Sequence, residues 1–78
     1  MKKFAVMEIM RMLGEKHNKD VQIIEAETAK EAIEVYRQDR PNSVEIVAHD
    51  TDENPIYYVF QENALVWIGT KMEYIRRK

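Results

Sequence analysis

Ile56-Tyr57-Tyr58-Val59-Phe60, followed after four residues by Leu65-Val66-Trp67-Ile68, is the stretch that decides the fold of this chain. Both runs are apolar at every position, whereas a strand that faces water on one side alternates between apolar and polar residues. If Glu62-Asn63 is a tight turn, the two runs form a hairpin in which Phe60 faces Leu65 and Tyr58 faces Trp67. Both faces of that hairpin are then apolar.

The length of the chain limits what can cover those two faces. Its 78 residues form one domain over residues 1–78, with room for little more than one helix beside the strands. One helix covers one side of a sheet, so we expect a spare apolar face that takes a second subunit or another protein. Tyr57, Val59 and Trp67 are its candidate interface residues, since tyrosine and tryptophan are enriched at protein interfaces.

A helix is predicted from Ala29 to about Asp39. Thr28 is a good N-cap, and Glu31, three residues later, completes a capping box. The apolar residues of the segment fall at helical spacing and form one stripe, which consists of Ala29, Ala32, Ile33 and Tyr36. Arg40-Pro41 ends the helix, because a residue before proline is pushed out of the α region.

Strands are predicted at residues 21–27, 44–49, 56–60 and 65–68. Residues 4–13 fit either a strand that pairs with 21–27 through a polar turn at Gly14 to Asp20, or a helix with Gly14 after its end. The strand gives the simpler sheet. The expected fold is therefore α+β, a mainly antiparallel five-stranded sheet with one helix on one face, in the order β-β-α-β-β-β. The alternative order is α-β-α-β-β-β.

Charge is distributed unevenly along the chain. Residues 1–20 carry a net +2, residues 21–63 a net −7 and residues 64–78 a net +3. An acidic middle argues against binding of duplex nucleic acid but permits a basic partner surface. Glu27, Glu31 and Glu34 are further candidate interface residues in that region, although the dipole of the helix explains Glu27 and Glu31 without any function.

No pattern for catalysis, a metal or a cofactor stands out. The chain has no cysteine for a disulfide, a thiolate zinc site or a nucleophile. His17 and His49 follow no ligand spacing, and Ser43 has no elbow motif around it. The loop from Asp50 to Asn54 begins like a calcium loop, but the glycine and glutamate that such a loop requires later are replaced by Pro55 and Gln61. We therefore expect a protein that is not an enzyme and holds no cofactor.

Composition also bears on location. No apolar run reaches the roughly 18 residues of a membrane span, so we expect no membrane association. The absence of cysteine fits the reducing cytoplasm.

Single-stranded nucleic acid is an alternative partner. Aromatic residues on a sheet can stack on bases, and basic residues near the end of the chain can contact phosphates. The aromatic set is Tyr57, Tyr58, Phe60 and Trp67, and the basic set is Lys71, Arg76, Arg77 and Lys78. The acidic charge of residues 21–63 disfavours this interpretation.

The order of elements resembles that of one family of phage-encoded inhibitors. Ile24-Glu25-Ala26-Glu27 leads into the helix, two strands precede it, and three short strands with a late tryptophan follow it. Over residues 3 to 70 this layout is similar to a compact anti-CRISPR family that acts on the type I-F surveillance complex. The resemblance implies binding to a basic guide-channel surface by occlusion, without catalysis, and assigns no functional residue.

These observations together predict a non-catalytic protein-binding module in the cytoplasm. It is expected to bind a protein partner or a second copy of itself as a homodimer, and it is a candidate inhibitor from a phage or mobile element. A small single-stranded nucleic-acid-binding protein and a homodimer of other function are the alternatives.

Overall fold

The computed structural model describes residues 1–52 and 55–76, leaving aside the side chains at positions 11 and 12. Five strands form one antiparallel sheet in the order β2-β1-β3-β4-β5. The elements along the chain are β1 (Lys2–Met12), β2 (Glu15–Ala26), α1 (Ala29–Asp39), β3 (Glu45–Asp50), β4 (Ile56–Gln61), β5 (Ala64–Thr70) and α2 (Lys71–Arg76). The predicted α+β fold is confirmed, but a second helix, α2, is present.

Helix α1 has the predicted bounds and the predicted buried stripe. Thr28 is its N-cap, and the Thr28 Oγ1 atom accepts a hydrogen bond of 3.2 Å from the backbone N–H of Glu31. The four apolar residues of the stripe are all buried, at 8 % exposure or less. Capping and amphipathic spacing are local signals, so the sequence alone was enough to locate this helix.

Residues 4–13 belong to a strand, and the helical alternative is wrong. β1 pairs with β2 so that Phe4 lies opposite Ile24 and Met12 opposite Glu15. The turn is only Leu13-Gly14, with φ values of 55° and 81°, and residues 15–20 of the predicted polar turn are part of β2. Two positive φ values match the right-handed twist of the paired strands, so a two-residue turn suffices.

The hairpin of β4 and β5 turns at Glu62-Asn63 and places Phe60 opposite Leu65, as predicted. The predicted pair of Tyr58 and Trp67 is wrong. A bulge inserts Val66 into β5, so that Trp67 lies opposite Val59 and Tyr58 lies opposite Ile68. One inserted residue reverses the face of every residue on one side of it. Trp67 therefore lies on the face of the sheet opposite to α1.

Each face of the sheet has its own hydrophobic cluster. On one face α1 packs over Phe4, Val6, Ile24, Ala26, Ile46, Ala48 and Phe60. The second cluster, on the opposite face, contains Met7, Ile9, Val47, Tyr57, Val59 and Tyr74, with Ala5 and Trp67 packed against it. Because Tyr74 belongs to α2, the expectation of a wholly spare second face is wrong. The C-terminal helix covers part of that face.

Candidate protein-interaction surface

The three apolar residues predicted to form an interface lie under or beside α2. Tyr57 and Val59 are buried, at 9 % and 0 % exposure, and Trp67 is half-buried. The Tyr57 ring stacks on that of Tyr74 with centroids 5.0 Å apart, and the Trp67 ring lies 6.0 Å from the same tyrosine. These side chains therefore hold α2 to the sheet within the chain, and of the three only Trp67 is still partly accessible.

A further contact comes from the opposite edge of the sheet. The Lys16 ammonium lies 4.4 Å from the centroid of the Tyr74 ring and donates a 3.2 Å hydrogen bond to the Tyr74 carbonyl oxygen. A cation over an aromatic face is attracted by its quadrupole. Lys16, which was predicted to lie in a turn, instead helps to anchor α2 from β2.

The sequence does contain a signal for α2. Thr70 and Glu73 have the spacing of a capping box, and the structure forms it: Glu73 N–H donates to Thr70 Oγ1 at 3.3 Å, and Thr70 N–H donates to Glu73 Oε1 at 2.9 Å. Hydrogen bonding of its carboxylate by the backbone N–H and by the side chain of Thr70 lowers the pKa of Glu73. The helix is only six residues long, too short to show an apolar stripe, and so the cap was its only local mark.

The three predicted acidic residues are all exposed, but they do different things. A Glu31 carboxylate oxygen accepts a 3.2 Å hydrogen bond from the Glu27 backbone N–H, so Glu31 closes the N-terminus of α1. The cap thus accounts for Glu31. Glu27 and Glu34 instead line a groove beside the helix.

That groove, which we name the α1 groove, runs between α1 and the β4–β5 hairpin. Helix α1 packs mainly on β2, β1 and β3, and this leaves the same face of β4 and β5 open. The apolar end of the groove has a volume of about 430 Å³. Its walls include Phe4, Ala29, Tyr58, Phe60 and Leu65, and Leu65 is 46 % exposed. Along the helix the groove continues past Ile33 and Glu34 to a polar end at Asn42, Ser43 and Glu62.

Cations and carboxylates line the α1 groove in equal number, but they differ in the contacts that they make. Two of its cations are engaged: Lys2 lies 3.5 Å from an Asp50 carboxylate oxygen, and Arg37 donates hydrogen bonds to the carbonyl oxygens of Ser43, Val44 and Glu62. Three carboxylates line the groove, and they belong to Glu27, Glu34 and Glu62. None of them forms an ion pair with a residue that the structure describes. Beside them stands the ammonium of Lys30, which is exposed. The groove therefore combines an apolar floor with three carboxylates that have no ion-pair partner among the described residues.

The aromatic residues proposed to stack on bases do not form one platform. Tyr58 and Phe60 lie on the face of the sheet that carries α1, while Tyr57 and Trp67 lie on the opposite face. Of the basic residues, Lys71 and Arg76 belong to α2, and residues 77 and 78 lie outside the described part of the chain. This division weighs against continuous stacking of bases.

The two histidines have different surroundings. His17 is exposed on β2, with its Nε2 atom 3.7 Å from a Glu15 carboxylate oxygen. His49 is half-buried on β3 and stacks on Tyr57 with centroids 4.3 Å apart. Its Nε2 atom has no hydrogen-bond partner among the described residues, and burial, helped by the charge of Lys71, lowers its pKa.

Within residues 1–52 and 55–76, no group of three or more His, Asp or Glu side chains is arranged to hold a metal ion. In the acidic loop, the Asp50 carboxylate accepts a 3.0 Å hydrogen bond from the Asp52 backbone N–H, which is ordinary turn chemistry. The loop residues at 53 and 54 lie outside the described residues. Neither α1 nor α2 has the length and apolar content needed to cross a membrane.

Comparisons of the chain with protein-family models, with curated proteins and with solved structures return no match.

Proposed function

We propose that this chain is a non-catalytic, cytoplasmic protein-binding module whose α1 groove takes a segment of a partner protein. The partner segment carries an apolar side chain beside a basic one. The observation that carries the proposal is the open apolar floor at Leu65 and Tyr58, bordered by the carboxylates of Glu27 and Glu34 that lack an ion-pair partner among the described residues.

The apolar part of the groove supplies affinity. Leu65 leaves 46 % of its surface exposed at the edge of a floor in which Phe60 is already buried. Burying a whole leucine side chain stabilises by about 1.5–3 kcal/mol, so covering the exposed part contributes about 1 kcal/mol. An apolar side chain of the partner adds its own burial to this term.

The carboxylates supply selectivity. Complementary charge at the border of an interface steers association and disfavours partners of the wrong sign. Glu27 lies at the apolar end and Glu34 midway along the groove, so a partner with lysine or arginine on both sides of its apolar residue matches the pattern.

Selection from a displayed random peptide library tests the proposal. We expect selected peptides to combine lysine or arginine with a large apolar residue. The Glu34→Lys substitution should weaken their binding about tenfold, which corresponds to about 1.4 kcal/mol. Glu25→Lys is the matched control, because Glu25 is also exposed but belongs to β2, outside the lining of the groove.

Two results would contradict the proposal. One is selection of acidic peptides, or of none. The other is an equal loss of binding in the Glu34→Lys and Glu25→Lys variants while both remain folded by circular dichroism. Amide chemical shifts give an independent measure: titration with a selected peptide should perturb Lys30, Phe60 and Leu65.

The more specific form of the proposal is an inhibitor from a phage or mobile element that acts by occlusion. Its support is the similar order of elements and the available carboxylates, which suit a basic guide channel. Adding the chain to a purified type I-F surveillance complex should then abolish binding of the target duplex in a gel-shift assay. Unchanged binding would remove this specific form and leave the peptide-binding test standing.

A further inference from the structure

The two edges of the sheet differ sharply in charge. β2 contains five charged residues, which are Glu15, Lys16, Lys19, Asp20 and Glu25. β5, with the sequence Ala64-Leu65-Val66-Trp67-Ile68-Gly69-Thr70, contains no charged residue and no proline. Natural edge strands usually carry charges or proline, because an uncharged edge offers its unpaired N–H and C=O groups to any other strand. By this criterion β2 is protected and β5 is not.

Exposed apolar side chains concentrate at the same edge. Of twelve large hydrophobic residues exposed in the described part of the chain, five lie between residues 65 and 75. Leu65, Val66 and Ile68 are on β5, while Met72 and Ile75 are on α2, which packs against β5. A cluster of this kind marks an interaction surface more than scattered single residues do. The patch extends beyond the strand, as an interface larger than one strand pair requires.

We propose that β5 pairs antiparallel with β5 of a second copy of the chain, joining two five-stranded sheets into one sheet of ten strands. The second copy fits because the strand is uncharged. In a two-fold arrangement each residue meets the same strand, and no pair of like charges opposes across the join. The bulge at Val66 inserts a valine that is 44 % exposed, so it adds apolar surface and no charge.

The two-fold axis also determines on which face of the joined sheet each side chain lies. When strands pair within one sheet, residues on one face remain on that face across the join. Tyr58 and Ile68 are opposite each other on the face that carries α1. The dimer therefore keeps Ile68 of both copies on that face, with the two α1 grooves on the same side of the continuous sheet.

Light scattering coupled to size exclusion, over about a hundredfold range of concentration, tests this proposal with the full chain and no ligand. We expect a mass near twice 9.3 kDa. Ile68→Lys should raise the dissociation constant at least about a hundredfold, because a lysine on β5 places like charges at the join. Ile23→Lys is the control: Ile23 is 63 % exposed on the other edge strand, against 53 % for Ile68.

Circular dichroism first establishes that each variant is folded. If Ile68→Lys does not fold, Val66→Lys and its control Val21→Lys, at 44 % and 55 % exposure, decide in its place. A monomer of 9.3 kDa at the highest concentration overturns the proposal. So does a folded β5 variant that stays dimeric, or dissociation caused by the β2 variant. Because no peptide is present in this experiment, a negative result for the dimer does not contradict the proposed binding of a peptide in the α1 groove.

Discussion

At the scale of single residues, Leu13 is the least expected feature of the chain. It has a φ of 55° in the β1–β2 turn, and its side chain is fully exposed, at 102 %. The left-handed region costs an ordinary residue about 1 kcal/mol, whereas asparagine tolerates it. Leu13→Asn should therefore raise the free energy of unfolding by about 0.5–1 kcal/mol in urea titrations. Leu13→Ala is the control and should change little, since the leucine side chain buries no surface. An Asn variant no more stable than the Ala variant would contradict this account of the turn.

His49 makes folding depend on pH. Burial, with a contribution from Lys71, lowers its folded-state pKa below the ordinary 6.5. The unfolded chain then binds the proton more readily than the folded chain. The stabilising effect of neutral His49 is complete above the unfolded pKa, and it is lost as pH falls below that value toward the folded pKa. His49→Gln should thus flatten the fall in the free energy of unfolding below about pH 6.5, as measured by urea titrations at several pH values. His17→Gln, at an exposed histidine, should leave that fall in place. An identical dependence of the free energy of unfolding on pH in wild type and His49→Gln would contradict this role of His49.

At the scale of elements, features that depend on neighbouring residues of one segment could be predicted from the sequence, and features that depend on contacts between segments could not. α1 was located from Thr28, Glu31 and an apolar stripe, all within one segment. The bulge at Val66 depends on how β5 pairs with β4, and no residue type in β5 indicates it. The face on which Trp67 lies was therefore predicted wrongly. The acidic candidate residues of α1 show the same difference. The role of Glu31 in the helix cap follows from the local sequence, whereas the groove that Glu34 lines depends on the position of the β4–β5 hairpin relative to α1.

The attachment of α2 also belongs to this scale. Tyr74 is 7 % exposed and contacts both Tyr57 and Trp67. Removing a buried aromatic side chain costs about 3 kcal/mol, a large share of the stability of so small a domain. Tyr74→Ala should lower the free energy of unfolding by about that amount and change the emission of the single tryptophan, both followed in urea. Ile75→Ala, at a residue of the same helix that is 61 % exposed, should stay within about 0.5 kcal/mol of wild type. Equal effects of the two substitutions would mean that α2 is not held by Tyr74.

At the scale of the whole molecule, the two helices cover different parts of one sheet from opposite sides. α1 packs on β2, β1 and β3, whereas α2 packs on β5 and β4. The uninterrupted apolar runs of residues 56–60 and 65–68 could indicate that both faces of the β4–β5 hairpin are apolar, but not that each would be covered only in part. The partial cover leaves the α1 groove open on one side, and the strand order leaves the uncharged β5 at the edge.

The same arrangement predicts where the molecule opens first. β3 lies in the centre of the sheet, and Val47 and Ala48 are fully buried. β1 pairs with β3 only as far as Glu8, so its last four residues pair with β2 alone in a two-stranded ribbon. Such ribbons are marginally stable by themselves. In hydrogen exchange followed by NMR, the amides of Val47 and Ala48 should exchange only on global unfolding, and those of Ile9 to Met12 orders of magnitude faster. Comparable protection in both places would mean that the burial of Ile9 and the contact of Lys16 with Tyr74 hold the ribbon as firmly as the centre of the sheet is held.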